Sequence, residues 1–301
     1  MSLPILLPLA TTVLGLCFGV MLLAQWRERR KPYQLVWGLG LLWYGLASGT
    51  EFLGNAFGWG EVPYRAWYLL GAIMTAAWLG QGECYLLRTR GFGLLVATGL
   101  VLGSLPGLLQ GRRLLADGDP LATAALTIGA VGIGAALLVT AVSWQRPERL
   151  GHVTFGLLAL GTLYSLAKIL GVPVDTAAML HPETGVVQGL GFPEDVRLLT
   201  PLFNITGAMA LVFGAAYSAW VWWRQRLYSY RVVSNALIAF GAFVPSMTHS
   251  LHRFGFTDGY YLGQFVGLTL IFIGFLVSIE IFARRPWPFN RQVGARQAIT
   301  G

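Results

Sequence analysis

Charge is what this sequence has least of. Asp, Glu, Lys and Arg together make up 11% of its 301 residues, where a soluble domain carries about 25%. That shortage excludes a soluble globular enzyme, and the apolar excess excludes a disordered tail. Cysteine is almost missing, with two residues in all. Cys17 and Cys84 both fall in apolar runs, without a CxxC or a metal-ligand spacing, so a disulfide scaffold or an iron–sulfur centre has no basis. There is no P-loop, and no GxGxxG after a strand. In their place stand 55% hydrophobic residues and 39 glycines, with a mean hydropathy of +0.61. This is the composition of a polytopic membrane protein.

Crossing ~30 Å of hydrocarbon takes about 20 apolar residues per helix. Nine runs meet that need: 3–25, 34–57, 65–87, 92–110, 121–143, 152–172, 199–223, 232–253 and 260–283. The expected fold is therefore an all-α transmembrane bundle, a single domain over 1–283 with a cytoplasmic tail at 284–301. The first run lacks a basic n-region, and its positive cluster (Arg27, Arg29, Arg30, Lys31) follows it. A retained helix with its N-terminus outside has this pattern. With nine alternating spans, 15 basic residues then fall on the cytoplasmic side and five outside, Lys168 lying within a span. The split obeys the positive-inside rule, and it accounts for the net charge of +8 without nucleic acid. The expected location is a bacterial-type plasma (inner) membrane, with lipid as the constant partner.

The only long connection is the outer loop 173–198, whose Pro, Gly and acidic residues suggest a structured cap. Runs 1–4 and 5–8 share an orientation, and two local matches point to a parallel 4+4 repeat over 1–110 and 121–253, plus a ninth helix. SGTEFLG (48–54) matches SLAKILG (165–171), and GAIMTAAWLGQGECYLLRTR (71–90) matches GAMALVFGAAYSAWVWWRQR (207–226). Gly103/Pro106 and Gly241/Pro245 recur in runs 4 and 8. This layout resembles the transporter–opsin–receptor group of membrane proteins, and also bacterial multi-pass sensor and uncharacterised membrane proteins. The opsin branch of that group carries a retinal-binding lysine in its last helix, and YYLGQFVGLTLIFIGFLVSIEIF has none. What the resemblance implies is a helical bundle that transports or senses.

Ionisable residues within spans are costly, and are functional candidates by default. Glu83 with Arg88, and Glu280 with Arg284, are expected to pair or cap at the cytoplasmic interface. Glu51 and Lys168 share an outer-third depth and equivalent positions in the repeat, so they are expected to lie near each other, as an ion pair or across a ligand. Run 8, VPSMTHSLHRFG, frees a carbonyl at Pro245 and puts His249 and His252 on one face. Asn204 and Asn55 lie at similar depth. Glu51, Lys168, Asn204, His249 and His252 are therefore the candidate ligand-binding residues. The GxxxG pairs Gly15/Gly19 and Gly263/Gly267 suit close helix packing.

Three functions fit. The first is non-enzymatic: a transporter or sensor holding a small polar or amphipathic ligand in an outward-facing pocket. A second is an integral subunit of a larger complex, or a homo-oligomer, binding partner helices, lipid, quinone or pigment. The third is a membrane metal-dependent hydrolase using His249, His252 and Glu51 as a two-histidine, one-carboxylate set. A bis-histidine haem needs two facing histidines at one depth, and only His181 could face His249. The sequence names no cofactor or metal.

Overall fold

A computed structural model describes residues 2–226, 229–253 and 259–278, without the side chains of 229 and 249–253. Among these residues the chain forms nine helical rods and no strand; one isolated bridge joins Leu180 and Val187. The rods are α1 (Leu3–Arg29), α2 (Pro32–Phe57), α3, α4 (Arg90–Ala116), α5 (Leu121–Gln145), α6 (Leu150–Gly171), α7 (Leu199–Arg224), α8 (Ser229–Arg253) and α9 (Tyr260–Ser278). The third, α3, has three successive parts: an α-helix Glu61–Trp67, a π-helix Tyr68–Thr75 and an α-helix Ala76–Leu86. All nine coincide in position with the nine apolar runs. By length and composition, six are able to cross a membrane: α1, α4, α5, α6 with the turn before it, α7 with the turn before it, and α9. The other three are diluted by Gly, Trp, Tyr and polar residues, or interrupted by the π segment. The protein is thus an all-helical chain of membrane-protein type. The tail at 284–301 lies outside the described residues, as do Glu280 and Arg284.

Starts and stops follow local chemistry. Pro32 opens α2 at a position where a missing N–H costs nothing. The Thr89 hydroxyl caps α4 by accepting from Phe92 N at 3.3 Å. A left-handed Arg30 (φ 51°) ends α1 and returns its N–H to Trp26 O.

Two rods are shared by two lobes. α3 packs against α2 and α7, and α7 against α3, α4 and α8. One lobe adds α1, α2, α8 and α9 around Phe18, Leu41, Leu79 and Leu268. The other adds α4, α5 and α6 around Val96, Val139 and Leu150. The shared pair crosses at two glycines: a Cβ on Gly207 would lie 2.3 Å from Ala76 O, and one on Gly80 2.4 Å from Gly207 O. The GxxxG positions pack closely too. A Cβ on Gly15 would meet Gly45 Cα at 2.9 Å, and one on Gly267 would meet Gly241 O at 2.6 Å. Helix pairings differ between the halves of the chain: α1 lies along α2, whereas α5 lies along α4 and touches α6 little.

Between α6 and α7 the chain folds into a compact cap, with Met179, Val187, Phe192 and Val196 buried. Phe192 stacks on Tyr64 at the start of α3, centroids 5.1 Å apart. The Tyr64 hydroxyl donates to Gln188 O (2.7 Å) and accepts from Gly191 N (3.0 Å). The end of the bundle bearing this cap is called the cap end below.

Candidate ligand-binding site

Two of the anticipated polar residues, Glu51 and Lys168, take separate partners. Glu51 and Lys168 are not partners. Lys168 Nζ donates instead to Asp195 Oδ2, in the one-turn helix Glu194–Arg197 before α7. Asp195 is buried and its Oδ1 accepts from Val196 N at 3.0 Å. Arg65 completes this corner: its guanidinium bonds Ile169 O at the end of α6 and pairs with Glu61 at 3.3 Å. Equivalent positions in the two halves of the chain do not make Glu51 and Lys168 neighbours. The lysine's actual partner comes from the cap, 27 residues along the chain.

Glu51 faces the opposite lobe and is 2% exposed. Its Oε1 accepts from Trp67 Nε1 (2.9 Å), Gln264 Nε2 (3.1 Å) and Tyr260 OH (3.2 Å). Its Oε2 is buried with no hydrogen-bond partner. The three donors come from α3 and α9. Tyr44 OH donates to Gln264 O at 3.0 Å and so ties α2 to α9 a second time.

Asn204 sits on α7, and its Oδ1 is buried without a partner. His249 and His252 stand in the last turns of α8, but their side chains lie outside the described residues. Among the described residues, no three His, Cys, Asp or Glu gather as a metal site. Glu83 does not pair with Arg88. It is buried between α3 and α7 with Oε2 unpartnered, its Cγ 3.0 Å from where a Gly214 Cβ would lie. Arg88 Nε donates to Tyr85 O instead.

A cavity of about 430 Å³ lies in the second lobe, walled by α3, α4, α5, α6 and α7. Its volume is within the ~300–1,000 Å³ usual for small-molecule sites. The space follows from the packing: α5 and α6 barely touch, so a slot is left between them. Val131, Leu160 and Tyr164 line that slot and are exposed on the bundle's flank. Deeper in, the walls are Ile128, Leu157, Gly161 and Phe203. From Thr154 to Tyr164 along α6 the cavity runs about 15 Å, at 1.5 Å per residue.

Most of its polar groups are already occupied. Gln81 Nε2 donates to Gly151 O (2.7 Å), and Thr154 Oγ1 to Leu150 O (2.9 Å). Thr206 differs: the residue lines the cavity, and its buried hydroxyl has no partner. Lys168 stands one turn beyond Tyr164 on α6, so the Lys168–Asp195 pair lies just past the cap end of the cavity. The arrangement suits an elongated apolar molecule that offers one hydrogen-bond acceptor inside and a polar group near the lysine.

A second, smaller hollow of about 310 Å³ opens at the cap end, lined by Pro4, Gly54, Asn55, Trp59, Leu180 and Gly185. Asn55 Nδ2 donates to Pro4 O (2.8 Å), and its Oδ1 accepts from Trp59 Nε1 (3.1 Å).

Sequence reasoning missed Thr206, Asp195, Trp67, Tyr260 and Gln264. Gln264 had a readable signal, a lone amide within the apolar run of α9. The threonine had none, since a hydroxyl in a helix is normally satisfied by the carbonyl one turn back. Comparison with protein-family models, curated proteins and solved structures returns no match, so the residues alone carry the functional reading.

Proposed function

We propose that this protein is a non-enzymatic, multi-pass protein of the plasma (inner) membrane that binds a membrane-partitioned amphiphile in the cavity walled by α3, α4, α5, α6 and α7, as a transporter or sensor. All nine rods then cross the bilayer, with the N-terminus outside and the C-terminus cytoplasmic, a reading supported by the basic-residue split. The slot between α5 and α6 opens to lipid, so an apolar chain enters sideways without crossing water. The observation that carries the reading is a mainly apolar cavity whose wall holds Thr206, among the described residues the one lining residue with a buried, unpartnered hydroxyl. An unmade hydrogen bond in a buried site costs about 1–3 kcal/mol, and a ligand acceptor removes that cost. Lys168 orients the polar end.

Native mass spectrometry of the protein released from lipid nanodiscs tests this. The wild type should retain a small amphiphile, and Ala135→Trp, which fills the cavity from α5, should lose it. Thr206→Val should weaken retention about fivefold, the value of one neutral hydrogen bond. An empty wild type, or equal retention by Ala135→Trp, would sink the proposal. A co-purifying chain would favour the complex-subunit reading, and bound zinc the hydrolase.

A further inference from the structure

Glu51 takes no part in the amphiphile site, and the molecule has built a great deal around it. Three donors from two other helices converge on one oxygen, while the second oxygen is buried and receives nothing. An ionised carboxylate spreads its charge over both oxygens, and a charged oxygen in a dry site with no donor is expensive. A proton on Oε2 makes the group neutral and fits the one-sided bonding: Oε1 accepts as a carbonyl while Oε2 carries the hydrogen.

The groups around it allow exchange. Tyr44 lies on the same helix, and Tyr260 and Tyr261 come from α9. The Tyr260 hydroxyl bonds Glu51 Oε1 at 3.2 Å, and the Tyr260 and Tyr261 rings meet edge to face with centroids 5.1 Å apart. A phenol both donates and accepts, so the Tyr260 hydroxyl can hand a proton to Glu51 or take one from it. Asn55 is one turn along α2 from Glu51, and it lines the hollow at the cap end. Trp59 roofs that turn: a Cβ on Gly54 would lie 2.3 Å from its ring. From α3 comes the indole of Trp67. The charged residues starting that rod, Glu61 and Arg65, pair with each other. The neighbouring α1 hydroxyls of Thr11 and Thr12 bond their own helix at 2.8 and 2.7 Å. Among the described residues no cation or second carboxylate bonds Glu51.

We propose that Glu51 is a proton-binding site, loaded and unloaded from the cap end through the hollow at Asn55 and Trp59. The bound proton governs how tightly α9 is held to α2 and α3, because all three bonds to Oε1 strengthen when the carboxyl ionises.

Infrared difference spectra of the full chain in nanodiscs, taken between about pH 5 and about pH 9, test this over the range where buried carboxyls titrate. A protonated-carboxyl C=O band should appear on acidification, shift down in heavy water, vanish in Glu51→Gln and persist in Glu83→Gln. Tyr260→Phe removes one donor from Oε1 and should move the band to higher frequency, which identifies Glu51 even if the glutamine variant does not fold. After a pH jump, Trp59→Ala should accelerate the band's rise severalfold. A spectrum with no carboxyl band, or a band unchanged in both Glu51→Gln and Tyr260→Phe, would overturn the proton site. An unchanged rate in Trp59→Ala would overturn the route.

Discussion

Replacing Lys168 by Met should destabilise the protein through the carboxylate it leaves behind. Asp195 is buried, and its Oδ1 already has a backbone donor, whereas Oδ2 depends on the ammonium. Breaking a fully buried pair costs ~3–5 kcal/mol. Here the lysine side chain is 31% exposed, so water screens part of the charge, and roughly 1–2 kcal/mol is the reasonable figure. Asp195→Asn should cost less than Lys168→Met, because the amide can still accept from Val196 N and the freed lysine reaches the interface by snorkelling. The double variant should recover about 1 kcal/mol relative to the sum of the two singles. The same cycle with Glu51→Gln and Lys168→Met should be additive to within ~0.5 kcal/mol, since the two residues share no partner. Reversible unfolding in mixed micelles, read by far-ultraviolet circular dichroism, measures all five variants. Coupling between Glu51 and Lys168, or none between Lys168 and Asp195, would refute the assignment of partners.

Further outcomes follow from the packing and the charge pattern. Gly207→Val should destabilise by about 2 kcal/mol or prevent folding, because a side chain there meets the Ala76 carbonyl at the crossing of α3 and α7; an unchanged unfolding midpoint would mean that the two rods are not in contact. With Cys17 and Cys84 replaced by alanine, single cysteines at 88 and 226 should resist an impermeant thiol reagent in intact cells while one at 185 reacts. Labelling at 226 from outside would reverse or break the nine-span topology.

The rods were legible because each buries a long apolar run, and length alone separates such runs from strands. Their ends were less so. α3 begins at Glu61 rather than 65, and α4 reaches Ala116, beyond the expected 110. In both cases polar residues remain helical at an interface where hydropathy no longer marks them. Glu51 stood out because a charge in an apolar run needs a reason. That Tyr260 and Gln264 are its partners was not legible, since they lie more than 200 residues away and only tertiary packing brings them in. The cavity was illegible for a different cause. It exists where α5 and α6 fail to pack, and Leu157, Leu160 and Phe203 read as ordinary core residues in the sequence. Thr206 is set apart only by tertiary packing, which leaves its hydroxyl buried without a partner.

The π-helical stretch of α3 separates the two sites: Trp67, a donor to Glu51, is the last residue before it, and Ala77, Gly80, Gln81 and Cys84 of the cavity wall follow it. Thr75 closes it by bonding the carbonyl five residues back, Leu70 O, at 2.7 Å. Such a stretch holds more residues per turn than an α-helix, and so stores slack. Drawing a single residue of that slack into α geometry turns everything downstream by about 100°, the angle of one residue in a 3.6-residue turn. The π stretch thus sets the phase between the two faces of one rod, so that Trp67 meets Glu51 while Gln81 and Cys84 meet the cavity.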